Sequence, residues 1–260
     1  MKNTILKLTC PLLFVFILFS SCVSKEKIIY LQNSKVGSES ISKISYEPIL
    51  QPDDVLMITI SAENQELAIP YNLYTVNFQS NVEIGTGQQR LQTFLIDKEG
   101  NIDFPLLGKI KLGGLTRIEA INKFKNLLES HIKEATVNLR ILNFKISLIG
   151  EVNKPGVYSV QSDRITLFEA LSLAGDLTIY GNRNSIIIIR ENEGVRSIEK
   201  VDITKRDFLN SSYYYLSQND QVYVEPNKTK VNASVIGPNI TAGLSALSLI
   251  ITILALTIKF

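Results

Sequence analysis

The sequence predicts an α+β chain: two small mixed domains in series, followed by one C-terminal helix able to span a membrane. Three observations carry this. Short alternating strands, a capped helix and further strands occur in that order twice along the chain. Between the two sets the alternation slips by one residue at Leu142-Asn143, which flips the buried face and marks a boundary. Finally, no charged residue occurs from Thr241 to Ile258. As a helix this run is roughly 27 Å long, close to the hydrocarbon thickness of a bilayer.

The N-terminus reads as a targeting signal over 1–21. Met1-Lys2-Asn3 opens a basic region, Leu8 to Phe19 is an apolar core, and Ser20-Ser21 are small residues at its exit. A cysteine directly after such a pair resembles the bacterial lipoprotein signal, although Phe19 stands where Leu is more usual. That resemblance implies cleavage before Cys22 and lipidation of its thiol. Because Val23 rather than Asp follows, it also implies sorting to the outer membrane. The alternative is an ordinary signal peptide, or a signal anchor, with an incidental cysteine. Acyl chains at roughly 0.8 kcal/mol per buried methylene would hold Cys22 at the membrane. Residues 22–45 are polar and read as a tether, with an edge strand around Ile28-Ile29-Tyr30-Leu31 equally plausible locally.

The first domain is expected over 46–142. Val55 to Ile60 is a strand entered through the turn Pro52-Asp53-Asp54. Glu63 to Arg90 reads as a long excursion holding a strand or two. Leu91–Ile96, Ile102–Phe104 and Lys109–Leu112 are strands, the first two joined by the turn Asp97 to Asn101. Thr116-Arg117-Ile118-Glu119 is a capping box, and Ile118, Ile121, Phe124, Leu128 and Ile132 form the expected buried stripe of its helix, with His131 at the end. Val137, Leu139 and Ile141 alternate as the last strand.

The second domain, 143–226, repeats that order. Phe144, Ile146 and Leu148 alternate, Glu151 to Gly156 is a turn, and Val157–Val160 returns. Thr166-Leu167-Phe168-Glu169 is a second capping box, with Leu167, Ala170, Leu171 and Ala174 buried and Gly175 as the left-handed stop. The unbroken run Ile186 to Ile189 predicts a strand covered on both faces. Val195–Val201 follows a turn, a helical turn is expected in Thr204–Leu209, and Val222–Val224 closes the domain before Pro226. Residues 227–240 read as a linker containing Gly237-Pro238, and 241–260 as the membrane helix. On that helix Thr241, Ser245, Ser248, Thr252 and Ala255 recur at steps of four and three, so one face is small and weakly polar.

Composition excludes several chemistries. The formal charge of +2 includes Lys2 and Lys7 of the signal, so the mature chain is nearly neutral, without the basic stripe that nucleic acid needs. One mature cysteine and one histidine, His131, provide neither a disulfide nor a zinc site. Gly85-Thr86-Gly87 lacks the following glycine and helix of a phosphate loop. Asp53, Asp97, Asp103, Glu151 and Asp163 sit at turns or strand ends, where solvated carboxylates outnumber catalytic pairs. No enzyme activity and no cofactor is expected.

At this point a family resemblance enters. Gly150-Glu151-Val152-x-x-Pro155-Gly156-x-Tyr158, then Thr166-Leu167-x-Glu169-Ala170-Leu171-x-x-Ala174-Gly175, resembles the SLBB (soluble-ligand-binding β-grasp) module. Upstream, Asp97-x-x-Gly100-x-Ile102-x-x-Pro105-Leu106-Leu107-Gly108 and Gly114-Leu115-Thr116-x-x-Glu119-Ala120 resemble the polysaccharide export domain. Asp220, Val222 and Val224-x-Pro226 resemble that family's closing strand. Together they are similar to the Wza-like outer membrane polysaccharide export proteins. Two turns depart from the pattern: Asp53-Asp54 stands for Gly-Asp, and Ala174-Gly175-Asp176 for Ala-Gly-Gly, both positions that Asp tolerates. The resemblance implies a lipid-anchored outer membrane protein with most of its chain in the periplasm. It implies a homo-oligomer whose C-terminal helices wall a pore for capsular polysaccharide or exopolysaccharide. The implied partners are outer membrane lipid, the polysaccharide itself and an inner membrane co-polymerase or chain-length regulator. The alternative is a membrane-anchored periplasmic module that binds a glycan or protein and forms no pore.

Overall fold

The computed structural model describes residues 26, 28–32, 47–77, 88–192, 194–235 and 238–257. In chain order the first domain holds β1 (Val55–Ser61), β2 (Tyr74–Asn77), β3 (Gln88–Leu91), β4 (Thr93–Leu95), β5 (Asn101–Phe104), β6 (Gly108–Lys111), α1 (Arg117–Leu128) and β7 (Thr136–Ile141). Leu56, Ile58 and Ile60 of β1 point into the core, as the two-residue strand period requires. β1 is the centre of an antiparallel sheet ordered β4-β1-β7. The β5–β6 hairpin and α1 close over it, joined by rings: Phe94 lies 4.8 Å from Phe104, and Phe104 lies 4.9 Å from Phe124, edge to face.

The capping box of α1 is formed. Glu119 N donates to Thr116 Oγ1 at 3.2 Å, and Thr116 N donates to Glu119 Oε2 at 2.8 Å. The buried face of this helix is the i, i+4 row Ala120, Phe124 and Leu128. Of the expected stripe, Phe124, Leu128 and Ile132 are buried and Ile121 packs partly buried against the core, but Ile118 lies about 200° around the axis from Ala120 and is exposed. Ile132 is buried but follows the helix, which ends at Leu128, so His131 lies in the turn beyond it. The excursion after β1 contains two 3₁₀ turns, Gln65–Leu67 and Ile69–Tyr71, and the β2–β3 ribbon. Gly85-Thr86-Gly87 lies outside the described residues.

The second domain holds β8 (Lys145–Gly150), β9 (Gly156–Ser159), β10 (Ile165–Thr166), α2 (Leu167–Leu173), β11 (Gly181–Asn192), β12 (Val195–Val201), β13 (Tyr215–Leu216) and β14 (Gln221–Pro226). Its sheet runs β12-β11-β14-β8-β9, with β14 parallel to β8 and the other pairs antiparallel. The α2 capping box is formed by Thr166 and Glu169. Leu167, Ala170, Leu171 and Ala174 pack on the sheet, and Gly175 turns the chain with φ +72°. The Ile186–Ile189 run is covered on one face only. Ile186 and Ile188 are buried beneath α2, whereas Ile187 and Ile189 lie half-buried on the outer face. An antiparallel pairing leaves that face to solvent, and apolar continuity alone did not reveal it.

The expected linker is largely helical, as α3 (Lys228–Val235), and α4 spans Pro238–Thr257. The membrane-spanning expectation for 241–260 is not supported: among the described residues no helix is long and apolar enough to cross a membrane. Residues 258–260 lie outside the described set, as do the side chains of Thr241, Leu244 and 254–257.

Candidate functional site

The C-terminal helices leave the second domain through a fixed joint. Asn227 N donates to Tyr180 O at 2.7 Å, and Asn227 Oδ1 caps α3 by accepting from Lys230 N at 3.0 Å. Lys230 Nζ then reaches back to Glu151 Oε1 at 3.5 Å and sits 5.1 Å from the Tyr180 ring centroid. Glu151 is held in place by Thr178, whose hydroxyl donates to Oε2 at 2.8 Å. The turn that carries the Gly150-Glu151-Val152 motif thus fixes where the helices depart.

Of the five stripe residues, the side chains of Ser245, Ser248 and Thr252 are described, and all three residues are exposed. Ser248 Oγ donates to Ser245 O at 2.8 Å, and Thr252 Oγ1 donates to Ser248 O at 2.8 Å. Both hydroxyls are therefore satisfied on their own helix, one turn back. Thr241 and Ala255 lie on the same helix, but their side chains are outside the described set. Cys22, the expected lipidation site, lies outside the described residues altogether.

Part of the expected tether is docked. Leu31 N donates to Ile203 O at 3.2 Å and Gln32 N to Thr204 O at 2.6 Å. Tyr30 lies against Phe168, with Arg183 5.5 Å from its ring centroid, and its hydroxyl donates to Asp176 Oδ1 at 2.6 Å. Burial, aided by the Asp176 hydrogen bond, pushes the Tyr30 hydroxyl up to about 12. Asp176 has φ +68°, so this aspartate both makes the left-handed turn and receives the strap. The N-terminal strap and the C-terminal helices attach to the same domain.

Sequence reading missed the cluster where the two domains meet. Asn143, at the phase slip, grips both sides of the first turn: Val55 N donates to its Oδ1 at 2.9 Å, and its Nδ2 donates to Asp53 O at 2.8 Å. Gln218 of the second domain completes the joint. Its Nε2 donates to Asn143 O at 3.0 Å, and its Oε1 accepts from Lys145 N at 2.8 Å. Arg117 and Asp163 pair across the boundary at 3.8 Å. Beside the joint lies a cavity of about 250 Å³, with Glu47, Gln51, Phe144 and Gln218 in its wall.

Two fully buried aspartates flank this joint, Asp54 and Asp220. Burial raises both carboxyls, Asp54 to about 6, with the neighbouring Asp53 charge adding to the rise and hydrogen bonding opposing it. The signal for both was present in the sequence as the same pattern, a turn residue and an aspartate directly before an apolar strand. The carboxylates weighed as catalytic candidates are not brought together. Asp97 accepts from Asn101 N at 2.6 Å, Glu151 joins Lys230, and Asp163 joins Arg117. Among the described residues no cluster of acidic, cysteine and histidine side chains could hold a metal ion.

The chain thus joins an α+β domain with a capped helix to a second domain whose motif turn directs the C-terminal helices. Residues 42–142 match the model of the family described as polysaccharide biosynthesis/export protein, and residues 144–224 match the SLBB domain. Between them they cover more than half of the chain, which belongs to the polysaccharide export family. It is 26% identical over 192 residues to the EPS I polysaccharide export outer membrane protein EpsA of Ralstonia solanacearum, covering 72% of this chain and 50% of that protein. The protein of the same name from Ralstonia nicotianae is 28% identical over 159 residues, 60% of this chain and 41% of that protein. The chain thus spans about half the length, or less, of the curated relatives it matches.

Proposed function

We propose that the chain is a subunit of an oligomeric outer membrane channel that exports exopolysaccharide or capsular polysaccharide. The observation that carries this reading is the order of parts: an export domain, an SLBB domain, and then a 20-residue helix whose sequence holds no charge. The relatives named for polysaccharide export at the outer membrane support the cargo and the location. In this reading Cys22 is lipidated, most of the chain is periplasmic, and α4 crosses the outer membrane as one stave of a ring. The uncharged run from Thr241 to Ile258, with Leu and Ile on its other faces, supports the span. The chain performs no chemistry on the sugar and uses no cofactor. Energy comes from synthesis at the inner membrane, where a co-polymerase or chain-length regulator meets the periplasmic ring.

A second reading, a membrane-anchored binding module without a pore, is favoured by one observation. Ser248 and Thr252 bond to their own backbone, so α4 needs no neighbouring helix or wet lumen to satisfy them. Imaging the protein extracted from outer membranes decides between the two. A ring with rotational symmetry is expected, and a strictly monomeric particle that retains α4 would sink the channel reading.

A further inference from the structure

The two buried aspartates sit in the same turn, built twice. Asp53 and Asn219 have φ +69° and +64°, and each precedes a buried aspartate that begins a strand. In both turns the aspartate's own N–H donates to the carbonyl three residues back, at 3.2 Å for Asp54 to Gln51 and for Asp220 to Ser217. In both, one carboxylate oxygen accepts the N–H of that same residue: Gln51 N to Asp54 Oδ2 at 2.9 Å, and Ser217 N to Asp220 Oδ2 at 2.8 Å.

The turns differ in what balances the charge. Asp220 is clamped by Arg190, whose Nε and Nη2 reach Oδ1 and Oδ2 at 3.0 and 2.7 Å. Asp54 has no such arginine. Its Oδ1 is buried without a hydrogen-bond partner, and the nearby Gln218 amide, which donates to Asn143 O, only partly offsets the effect of burial on the carboxyl. A fully buried carboxylate oxygen with neither cation nor donor is costly as an ion, and a proton is the simplest way to remove the charge. Since Oδ2 already accepts from Gln51, the proton belongs on Oδ1.

The position of this group gives it a consequence. Asn143, the residue between the domains, bonds the residues on either side of Asp54, at Asp53 O and Val55 N. A shift of the Asp54 turn toward water therefore strains both bonds at once. We propose that Asp54 is a proton-binding site that makes the joint between the two domains pH-dependent, closed when its carboxyl is protonated and looser when it is ionised. On ionisation the O–H bond at Oδ1 breaks, the electron pair stays on the oxygen and the proton passes to water. The other charged groups around the joint do not offset the change. Asp53 is adjacent and acidic, Glu47 and Glu191 add further carboxylates to the walls of the two neighbouring cavities, and Arg190 is held by Asp220. Lys98 and Arg196 line a separate cavity beside Asp53, not the one walled by Gln218.

Hydrogen exchange of the full chain tests this, read on peptides containing Val55 and Leu142 and corrected for the intrinsic pH dependence of exchange. Protection should fall on the order of ten-fold between pH 5 and pH 7.5 in the wild type. It should stay high at both pH values in Asp54→Asn, while peptides from the β11–β12 hairpin do not change. The same fall should persist in His131→Gln, which removes the sole histidine of the chain. A carbon-detected NMR titration of the wild-type Asp54 carboxyl reads the proton without any substitution. Protection independent of pH in the wild type, a fall that survives Asp54→Asn or disappears with His131→Gln, or a carboxyl that titrates below pH 5 would overturn the proposal.

Discussion

Arg190 holds the buried carboxylate of Asp220 with two guanidinium nitrogens, Nε at 3.0 Å and Nη2 at 2.7 Å. The same Nη2 donates to Tyr215 O at 3.1 Å, and the guanidinium lies 4.8 Å from the Tyr213 ring centroid. The pair therefore joins β11 to the turn that opens β14 and to the segment around β13. Burial raises the Asp220 carboxyl overall, and the hydrogen bonds and charge of Arg190 oppose that rise.

Breaking this pair from one side should cost far more than removing it whole. Arg190→Met leaves a buried carboxylate uncompensated and should destabilise the second domain by about 3–5 kcal/mol. The double variant Arg190→Met with Asp220→Asn should recover more than half of that loss. Urea unfolding of the two variants beside the wild type measures both, and a double variant as unstable as Arg190→Met alone would contradict the argument.

The Asp54 carboxyl carries a pH signature of the opposite sense to a salt-bridged aspartate. Its folded value lies near 6, against an ordinary aspartate value of 3.8, so the native state binds the proton more tightly than the unfolded chain. Stability should therefore be greatest at or below about pH 4 as far as this group is concerned. It should decline as pH rises through about 6 and then level off, losing about 2–3 kcal/mol in all. Asp54→Asn should flatten that decline and raise stability at pH 7.5. Thermal unfolding between pH 4 and pH 8 checks the sign, and a rise in wild-type stability over pH 4–6 that Asp54→Asn abolishes would refute it.

How far the sequence revealed these features depends on how local each one is. Both capping boxes, the alternation of β1 and β7, and the Gly175 stop are set by residues within four positions of one another. The slip at Leu142-Asn143 was legible for the same reason. On α1 the expected Phe124 and Leu128 are buried, and only Ile118 departs: it looks like a core residue but is exposed, while the small Ala120 is buried on the core face. The outer face of Ile186–Ile189 was misread because nothing within that run says that helices cover one side only. In the sequence Asp54 stands only as part of the turn into β1, and Asp220 only as part of the closing-strand pattern. Their burial is long-range: Val55 meets Asn143 across 88 positions, and Gln218 meets Asn143 across 75. The docking of Tyr30 on Asp176, 146 positions apart, was hidden in the same way.

Gly150 and Gly108 both have positive φ, +89° and +67°, but they should respond differently to a methyl group. At Gly108 nothing lies within 4 Å of an added Cβ, so Gly108→Ala should cost only the backbone strain, about 1–2 kcal/mol. At Gly150 the added Cβ would overlap the carbonyl oxygen of Val224 and press on the Tyr223 ring. That carbonyl accepts from Glu151 N at 3.0 Å, next to the parallel β8–β14 pairing. Gly150→Ala should therefore cost on the order of 3 kcal/mol or more. Chemical denaturation of the two variants gives the comparison, and equal losses would mean that the sheet yields at Gly150.

The polar stripe on α4 lets the proposed assembly be tested apart from the proposed anchoring. Ser245, Ser248 and Thr252 are exposed, and the hydroxyls of Ser248 and Thr252 bond to carbonyls of their own helix. Replacing all three with Leu removes no satisfied partner elsewhere and makes the helix more apolar, so membrane retention should be kept or improved. In a ring, however, small residues let helices approach closely, and three leucines on that face would hold neighbours apart. Interhelix contacts of this kind contribute only about 0.6–2 kcal/mol each, so in the proposed ring the first two domains should still associate weakly. The expected outcome for the triple variant is normal membrane fractionation, loss of the detergent-stable ring, and loss of polysaccharide at the cell surface. Unchanged export would mean that α4 only anchors the chain and that any passage for the polymer is built elsewhere.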